Sequence, residues 1–147
     1  MPVIVVGADT SQGRAVVEGL LEPGREVRAF VSDPTVGAEL RGLGVKVALG
    51  DVSDDSHVQG SCTNCFTAVL ITEAARDGRE RSFAANEEQV LVGWAAAAAA
   101  SGVTRVIWVH DGEPPPVRVR EVRTVSTGHP DLVAEVASLD DARFLSQ

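Results

Sequence analysis

The sequence predicts an α/β fold, a doubly wound parallel sheet in three layers, helix on sheet on helix. Three observations predict it. Short apolar runs alternate with stretches of helical spacing over roughly the first 110 residues. The first run, Pro2-Val3-Ile4-Val5-Val6-Gly7, is apolar without alternation, as befits a strand buried on both faces of a parallel sheet. Gly7 ends that run and Gly13 stands inside the next helical stretch, the context in which a strand–helix turn holds phosphate.

Residues 11–21 are helical because Ala15, Val16, Gly19 and Leu20 fall on one side. Glu22-Pro23-Gly24 stops that helix. EVRAFV, residues 26–31, is the next strand, and residues 35–43 form a short helix ended near Gly42 and Gly44. VKVAL, residues 45–49, is the third strand, residues 53–61 are helical, and TAVLIT, residues 67–72, is the fourth strand. Residues 80–101 read as one long helix containing the alanine run 95–100, a strong helix former. Gly102 caps it, and TRVIWV, residues 104–109, is the fifth strand. Right-handed crossovers turn this order of elements into a doubly wound sheet of five or six strands.

The last third is less regular. Glu113 and three prolines make a loop. Residues 117–127 begin with strand alternation that slips at Glu121, while Val119, Val122 and Val125 offer a competing helical face. Residues 131–145 hold one or two helical turns, with Ser138-x-x-Asp141 as a capping box. The chain reads as one domain over residues 1–147, of which 113–147 are an irregular extension.

Composition narrows the function. The chain has 147 residues, 44% hydrophobic and 23% charged, which is globular composition. A net charge of −8 argues against nucleic-acid partners, which require phosphate neutralisation. No apolar run reaches the roughly 18 residues of a membrane span, and the N-terminal segment has no basic region or cleavage site of a signal peptide. Cys62 and Cys65 are too few for a secreted disulfide framework, so the cytoplasm is expected. There is no tyrosine, and Lys46 is the single lysine. Chemistry that needs a phenolic acid beside a lysine is therefore excluded.

The turn Gly7-Ala8-Asp9-Thr10-Ser11-Gln12-Gly13 is the strongest candidate site. Gly7 permits the tight turn, Gly13 lets the helix approach the sheet, and free amides at Thr10, Ser11 and Gln12 would hold a pyrophosphate. The alternative is a tight turn without a ligand. Asp33, twenty residues past Gly13, stands where an acid would bond an adenosine ribose 2′-OH. As the residue before Pro34 it suits a turn equally well.

Further signals follow in fixed order: Gly13-Arg14-x-Val16-Val17, Glu26-Val27-Arg28-Ala29, Asp33-Pro34, Leu43-Gly44-Val45, Gly50-Asp51-Val52 and Ser101-Gly102-Val103-x-Arg105-Val106. In this order and spacing the chain resembles the NmrA-like branch of the atypical short-chain dehydrogenase/reductases, over roughly residues 2–110. The resemblance implies a Rossmann domain that binds NAD or NADP. It implies that Asp51, with Val52 beside it, meets the adenine, and that Thr72 lies near the nicotinamide ribose. It also implies a longer protein with a C-terminal substrate part, for which this chain has little room.

The departures from that pattern are informative. Thr10 stands where the family has a middle glycine, and its branched side chain obstructs the close approach of a pyrophosphate. Asp9 adds a negative charge near the same phosphates, or caps the helix and fills the anion site itself. Ser32 replaces the arginine that meets a 2′-phosphate, which favours NAD, although Arg14 is a candidate to compensate. Val109-His110-Asp111 replaces a pair of serines at the end of the fifth strand. His110 is the residue there with useful acid–base chemistry, but a surface or structural role is the stronger expectation.

Other features weigh less. Cys62-Thr63-Asn64-Cys65 follows a helix rather than opening one, so packing is expected ahead of redox or metal roles. Arg118, Arg120 and Arg123 read as a solvated edge or a contact with a partner. No G-x-S-x-G elbow is present. No catalytic residue and no metal site is assigned. Three functions remain: a nucleotide-responsive regulatory or interaction module, with a homodimer or protein partner; a small NAD(P)H-dependent reductase of a quinone- or flavin-like acceptor; and a degenerate scaffold that binds no nucleotide.

Overall fold

The computed structural model describes residues 1–145. Its centre is one sheet of six strands: β1 (Val3–Val6), β2 (Val27–Val31), β3 (Lys46–Leu49), β4 (Thr67–Ile71), β5 (Arg105–Val109) and β6 (Glu121–Val125). They lie in the order β3-β2-β1-β4-β5-β6, and every neighbouring pair is parallel. The apolar runs become β1, β4 and β5, each buried throughout. β3 at the edge is half open.

Among the described residues five helices cover the sheet: α1 (Ser11–Leu20), α2 (Pro34–Gly42), α3 (Asp55–Ser61), α4 (Glu87–Ser101) and α5 (Leu132–Asp141). One core joins Ile4, Phe30, Leu70 and Trp108 of the sheet to Val58 of α3 and Trp94 of α4. The other joins Val5, Ala29 and Ile107 to Val16 and Leu20 of α1, Leu40 of α2 and Val136 of α5. This is the three-layer, doubly wound architecture. Strand order reverses between β1 and β4, so a crevice opens at their carboxyl ends, where open α/β sheets take ligands. Among the described residues no helix is long and apolar enough to cross a membrane.

Three elements differ from expectation. The long helix begins at Glu87, not at residue 80, because Asn86 caps it by accepting from the Gln89 amide at 2.9 Å. Residues 76–86 are instead a connection tied to distant loops. The slip at Glu121 marks the start of β6. There the Glu121 carboxylate takes both oxygens to the buried Arg105 guanidinium at 3.0 and 3.2 Å. The tail also forms ten-residue α5, with Ser138 and Asp141 in its last turn, so no capping box opens it. Arg105 closes that helix by donating to the Leu139 and Asp140 carbonyls at 2.6 and 3.1 Å.

Candidate functional site

The β1–α1 turn is shaped by its two glycines. Gly7 has φ +89°, a conformation that strains residues with a side chain, and a Cβ there would lie 2.8 Å from Ala74 Cβ. A Cβ on Gly13 would collide with the Gly7 carbonyl oxygen and lie 2.9 Å from Ala8 Cα. Thr10 caps α1: its Oγ1 accepts from the Gly13 amide at 2.9 Å and donates to the Gly7 carbonyl at 2.9 Å. The Arg14 amide bonds the Thr10 carbonyl. Of the first-turn amides, Ser11 and Gln12 remain as the donors the cap leaves over. The Gln12 side chain donates to the Thr127 carbonyl at 2.7 Å, which ties the turn to the segment after β6.

Asp9 does not cap α1, contrary to one expectation above. Its Oδ2 accepts from the Ser32 and Asp33 amides at 2.8 and 3.1 Å, and its Oδ1 accepts from Arg79 Nη1 at 2.7 Å. The Asp9 side chain is only 3% exposed. Its charge is therefore turned to the end of β2 and matched by a guanidinium, which offsets the expected repulsion of phosphates. Arg79 also holds Asp77 through Nε and Nη2, both at 2.8 Å. Burial works against the Arg79 charge, but the hydrogen bonds to Asp77 and Asp9 outweigh it and raise its pKa. Burial likewise opposes the Asp77 charge, and its arginine partners outweigh that too, lowering its pKa.

Asp33 is exposed and caps α2, its Oδ1 accepting from the Thr35 and Val36 amides at 2.8 and 3.4 Å. Asp51, at the end of β3, accepts from the Ser53 amide and hydroxyl at 2.8 and 2.6 Å, and from the Ser82 amide at 2.7 Å. Partial burial raises its pKa, but these donors overcome that and hold it below the ordinary carboxylate value. The Val52 carbonyl accepts from Trp94 Nε1 at 2.7 Å. Arg14 pairs with Glu18 at 3.1 Å and with Glu39, so it does not face the turn as a free cation.

Across the switch point, Thr72 opens a 3₁₀ turn, Thr72–Ala75. Its hydroxyl donates to the Val109 carbonyl at 2.9 Å and meets His110 Nδ1 at 2.9 Å. A hydroxyl has one proton. Once that proton is given to Val109, Thr72 accepts from His110, so Nδ1 carries a proton and Nε2 is left for other partners. Asp111 is held by Ser126 and Thr127, with Oδ1 at 3.0 Å from the Ser126 hydroxyl and from the Thr127 amide.

The carboxyl edge thus gathers Gly7, Thr10, Ser11, Gln12, Gly13, Ser32 and Asp33 around one turn, with Asp51 and Val52 on the β3 side and Thr72 with His110 on the β5 side. Two hollows of about 380 and 360 Å³ flank Asp9; Arg79 lines the second. Each is at the small end of the ~300–1,000 Å³ of small-molecule sites. A hollow of about 470 Å³ lies at the opposite edge, lined by Phe66, Arg120, Glu121 and Phe144, away from the glycine turn. Sequence reasoning missed Arg79, Ser53 and Ser82. No local pattern announces them, because each acts on a residue at least 30 positions away or on a neighbour in a loop.

Cys62 and Cys65 are free thiols, buried at the end of α3. Burial pushes the Cys62 thiol up to about 12, and burial also raises Cys65, which disfavours a reactive thiolate. Among the described residues no three His, Cys, Asp or Glu side chains form a group able to hold a metal ion.

The fold and this edge define a dinucleotide-binding domain of Rossmann type. The chain belongs to the NAD(P)H-binding family, whose model matches residues 7–115. The resemblance to the NmrA-like group agrees with this. No curated protein matches the chain. Among solved structures it is similar to a triphenylmethane reductase of Citrobacter sp., with TM-score 0.62 and 20% identity over 74% of this chain and 37% of that one. It is similar to an NADPH-dependent quinone oxidoreductase of Escherichia coli, with TM-score 0.59 and 21% identity over 73% of this chain and 36% of that one. It is also similar to an anaerobilin reductase of Escherichia coli O157:H7, with TM-score 0.58 and 23% identity over 76% and 51% of the two chains. The chain thus spans 36–51% of the length of these three proteins.

The pyrophosphate end of the site fits a dinucleotide: two glycines bring the backbone close, and the Ser11 and Gln12 amides point from a helix start. The adenosine end is different, because Asp9 and Asp51 already hold donors from residues 79 and 82.

Proposed function

We propose that this chain is a nucleotide-responsive regulatory or interaction module that takes NAD(H) in preference to NADP(H) across the β1–β4 crevice. The observation that carries this reading is the composition of the carboxyl edge. It combines a glycine turn with two uncommitted amides and Ser32 at the end of β2, where an arginine for a 2′-phosphate would stand, beside the buried Asp9 anion. A tyrosine–lysine pair for carbonyl reduction is missing from the sequence, and Lys46 sits on edge strand β3 with its side chain 68% exposed. Calorimetric titration with NAD, NADH, NADP and NADPH tests it. Binding of NAD(H) over NADP(H), without oxidation of NADH by a panel of acceptors, is expected. If none of the four binds, the chain is a degenerate scaffold.

A second reading, a small NAD(P)H-dependent reductase of a quinone- or flavin-like acceptor, is favoured by the Thr72–His110 pair. The nicotinamide of a bound dinucleotide supplies hydride in such chemistry. This chain's own contribution is His110, oriented by Thr72 through Nδ1 so that Nε2 is available to hold or move a proton at the end of β5. Oxidation of NADH with quinone or flavin acceptors, reduced in His110→Ala, distinguishes this reading from the first.

A further inference from the structure

Residues 76–86 run from the turn after β4 to the cap of α4, and they lie across the ends of β1, β2 and β3. Arg81 fixes the base of this segment through the Ala74 carbonyl at 3.0 Å. Arg79 Nη1 donates to Asp9 Oδ1 at 2.7 Å and comes within 3.5 Å of Ser32 Oγ. The Ser82 amide donates to Asp51 Oδ2 at 2.7 Å, and the Phe83 amide to Ser53 Oγ at 3.0 Å. Ser32 and Asp51 are residues assigned above to the adenosine half of a dinucleotide. Asp51 in that half, and Asp9 beside it, therefore accept from N–H groups of this segment, while Asp33 caps α2.

We propose that residues 76–86 are a displaceable plug in the adenosine half of the site, with the Arg79 guanidinium in place of the ribose hydroxyls and the Ser82 amide in place of the adenine amine. The inference rests on the dinucleotide reading and deepens it. Displacement exchanges donors for donors: the ribose hydroxyls take over the Asp9 oxygen that Arg79 leaves. The ligand class is an adenosine with a free 2′-OH, because a 2′-phosphate would approach the Asp9 carboxylate as a like charge. Only the fraction of molecules with the plug withdrawn binds, so apparent affinity falls by that fraction.

The test uses the two halves of the ligand separately. ADP and nicotinamide mononucleotide are titrated into the wild type, Arg79→Ala and Arg79→Gln, and amide exchange of residues 76–86 is followed with and without ADP. Arg79→Ala is expected to bind ADP about tenfold more tightly, with Arg79→Gln between it and the wild type. Affinity for the mononucleotide should not change. Exchange in 76–86 should rise in the variant and on ADP binding. Weaker ADP binding in Arg79→Ala would make Arg79 a recognition group and overturn the plug. So would equal gains for both halves, or slower exchange on ADP binding, which describes a closing lid. Unchanged ADP affinity with intact binding also overturns the plug while leaving the dinucleotide reading in place. No binding of NAD(H), ADP or the mononucleotide by any variant removes both.

Discussion

Thr10→Gly places stability and binding in opposition at one residue. Thr10 is 6% exposed, caps α1 through the Gly13 amide and donates to the Gly7 carbonyl. Replacing a threonine cap by glycine costs a few tenths of a kcal/mol, and losing the buried hydroxyl bond to Gly7 adds about 1 kcal/mol. The variant should therefore melt about 3 °C lower. Binding should move the other way. The Cβ and its branch no longer stand where a pyrophosphate must approach, and the Gly13 amide joins Ser11 and Gln12 as a free donor. Relief of about 1–2 kcal/mol of misfit, by analogy with overpacking, corresponds to roughly tenfold tighter binding.

Thr10→Ala separates the two contributions, because it frees the Gly13 amide and keeps the Cβ. Isothermal calorimetry with NADH, alongside thermal denaturation of the same samples, measures both effects. If wild type binds at low micromolar affinity and Thr10→Gly binds no better while melting lower, the backbone reaches the phosphates by another path. The middle-glycine reasoning then fails for this protein.

Asp9→Asn removes the charge that holds Arg79, and a loss of about 2 kcal/mol is expected in urea denaturation; an unchanged midpoint would show that the pair contributes nothing. Gly13→Ala drives a Cβ into the Gly7 carbonyl, and a loss of about 2 kcal/mol or more is expected by the same measurement. Asp51 is held below its ordinary pKa in the folded state because the Ser53 and Ser82 donors outweigh burial. The stability it lends is complete above about pH 4 and is lost as pH falls through its lowered pKa, so Asp51→Asn should flatten the decline in stability below about pH 4. Cys62 and Cys65 should resist a disulfide reagent in the native protein and react on unfolding, since burial raises both thiols; rapid native labelling would refute their inertness. Imidazole nitrogen resonances should report the Nδ1–H form of His110 in the wild type, with loss of that preference in Thr72→Val; an Nε2–H form in the wild type would reverse the assigned hydrogen bond.

The legible parts of this molecule are those whose cause is local. Val3–Val6 reads as a central strand because nothing in it faces water. Gly7 and Gly13 read as a phosphate turn because their own backbone demands them, one by its positive φ and one by its contact with the Gly7 carbonyl. Residues 80–86 read as helix for an equally local reason, since the composition permits one. Their hydrogen bonds go instead to Asp51 and Ser53, set by tertiary placement that no periodicity encodes. The tail is the same case: Glu121 and the end of α5 are organised by Arg105, whose partners lie 16, 34 and 35 residues away.

Asp9 shows how such distant contacts change chemistry as well as structure. Read along the chain, it is an acid beside a phosphate turn and an argument against binding. Folded, it faces the amides of residues 32 and 33 and the Arg79 guanidinium, and its charge supports the join between the β1–α1 turn and the end of β2. What opposes a nucleotide at this edge is therefore less a fixed negative charge than a set of donors already in place. A fixed charge repels every phosphate and weakens with salt. An occupied acceptor costs binding only until its donor is exchanged, and it acts on one half of the ligand. On the plug proposal, that difference adds a limit on affinity in the adenosine half of the site to the one that Thr10 sets at the glycine turn.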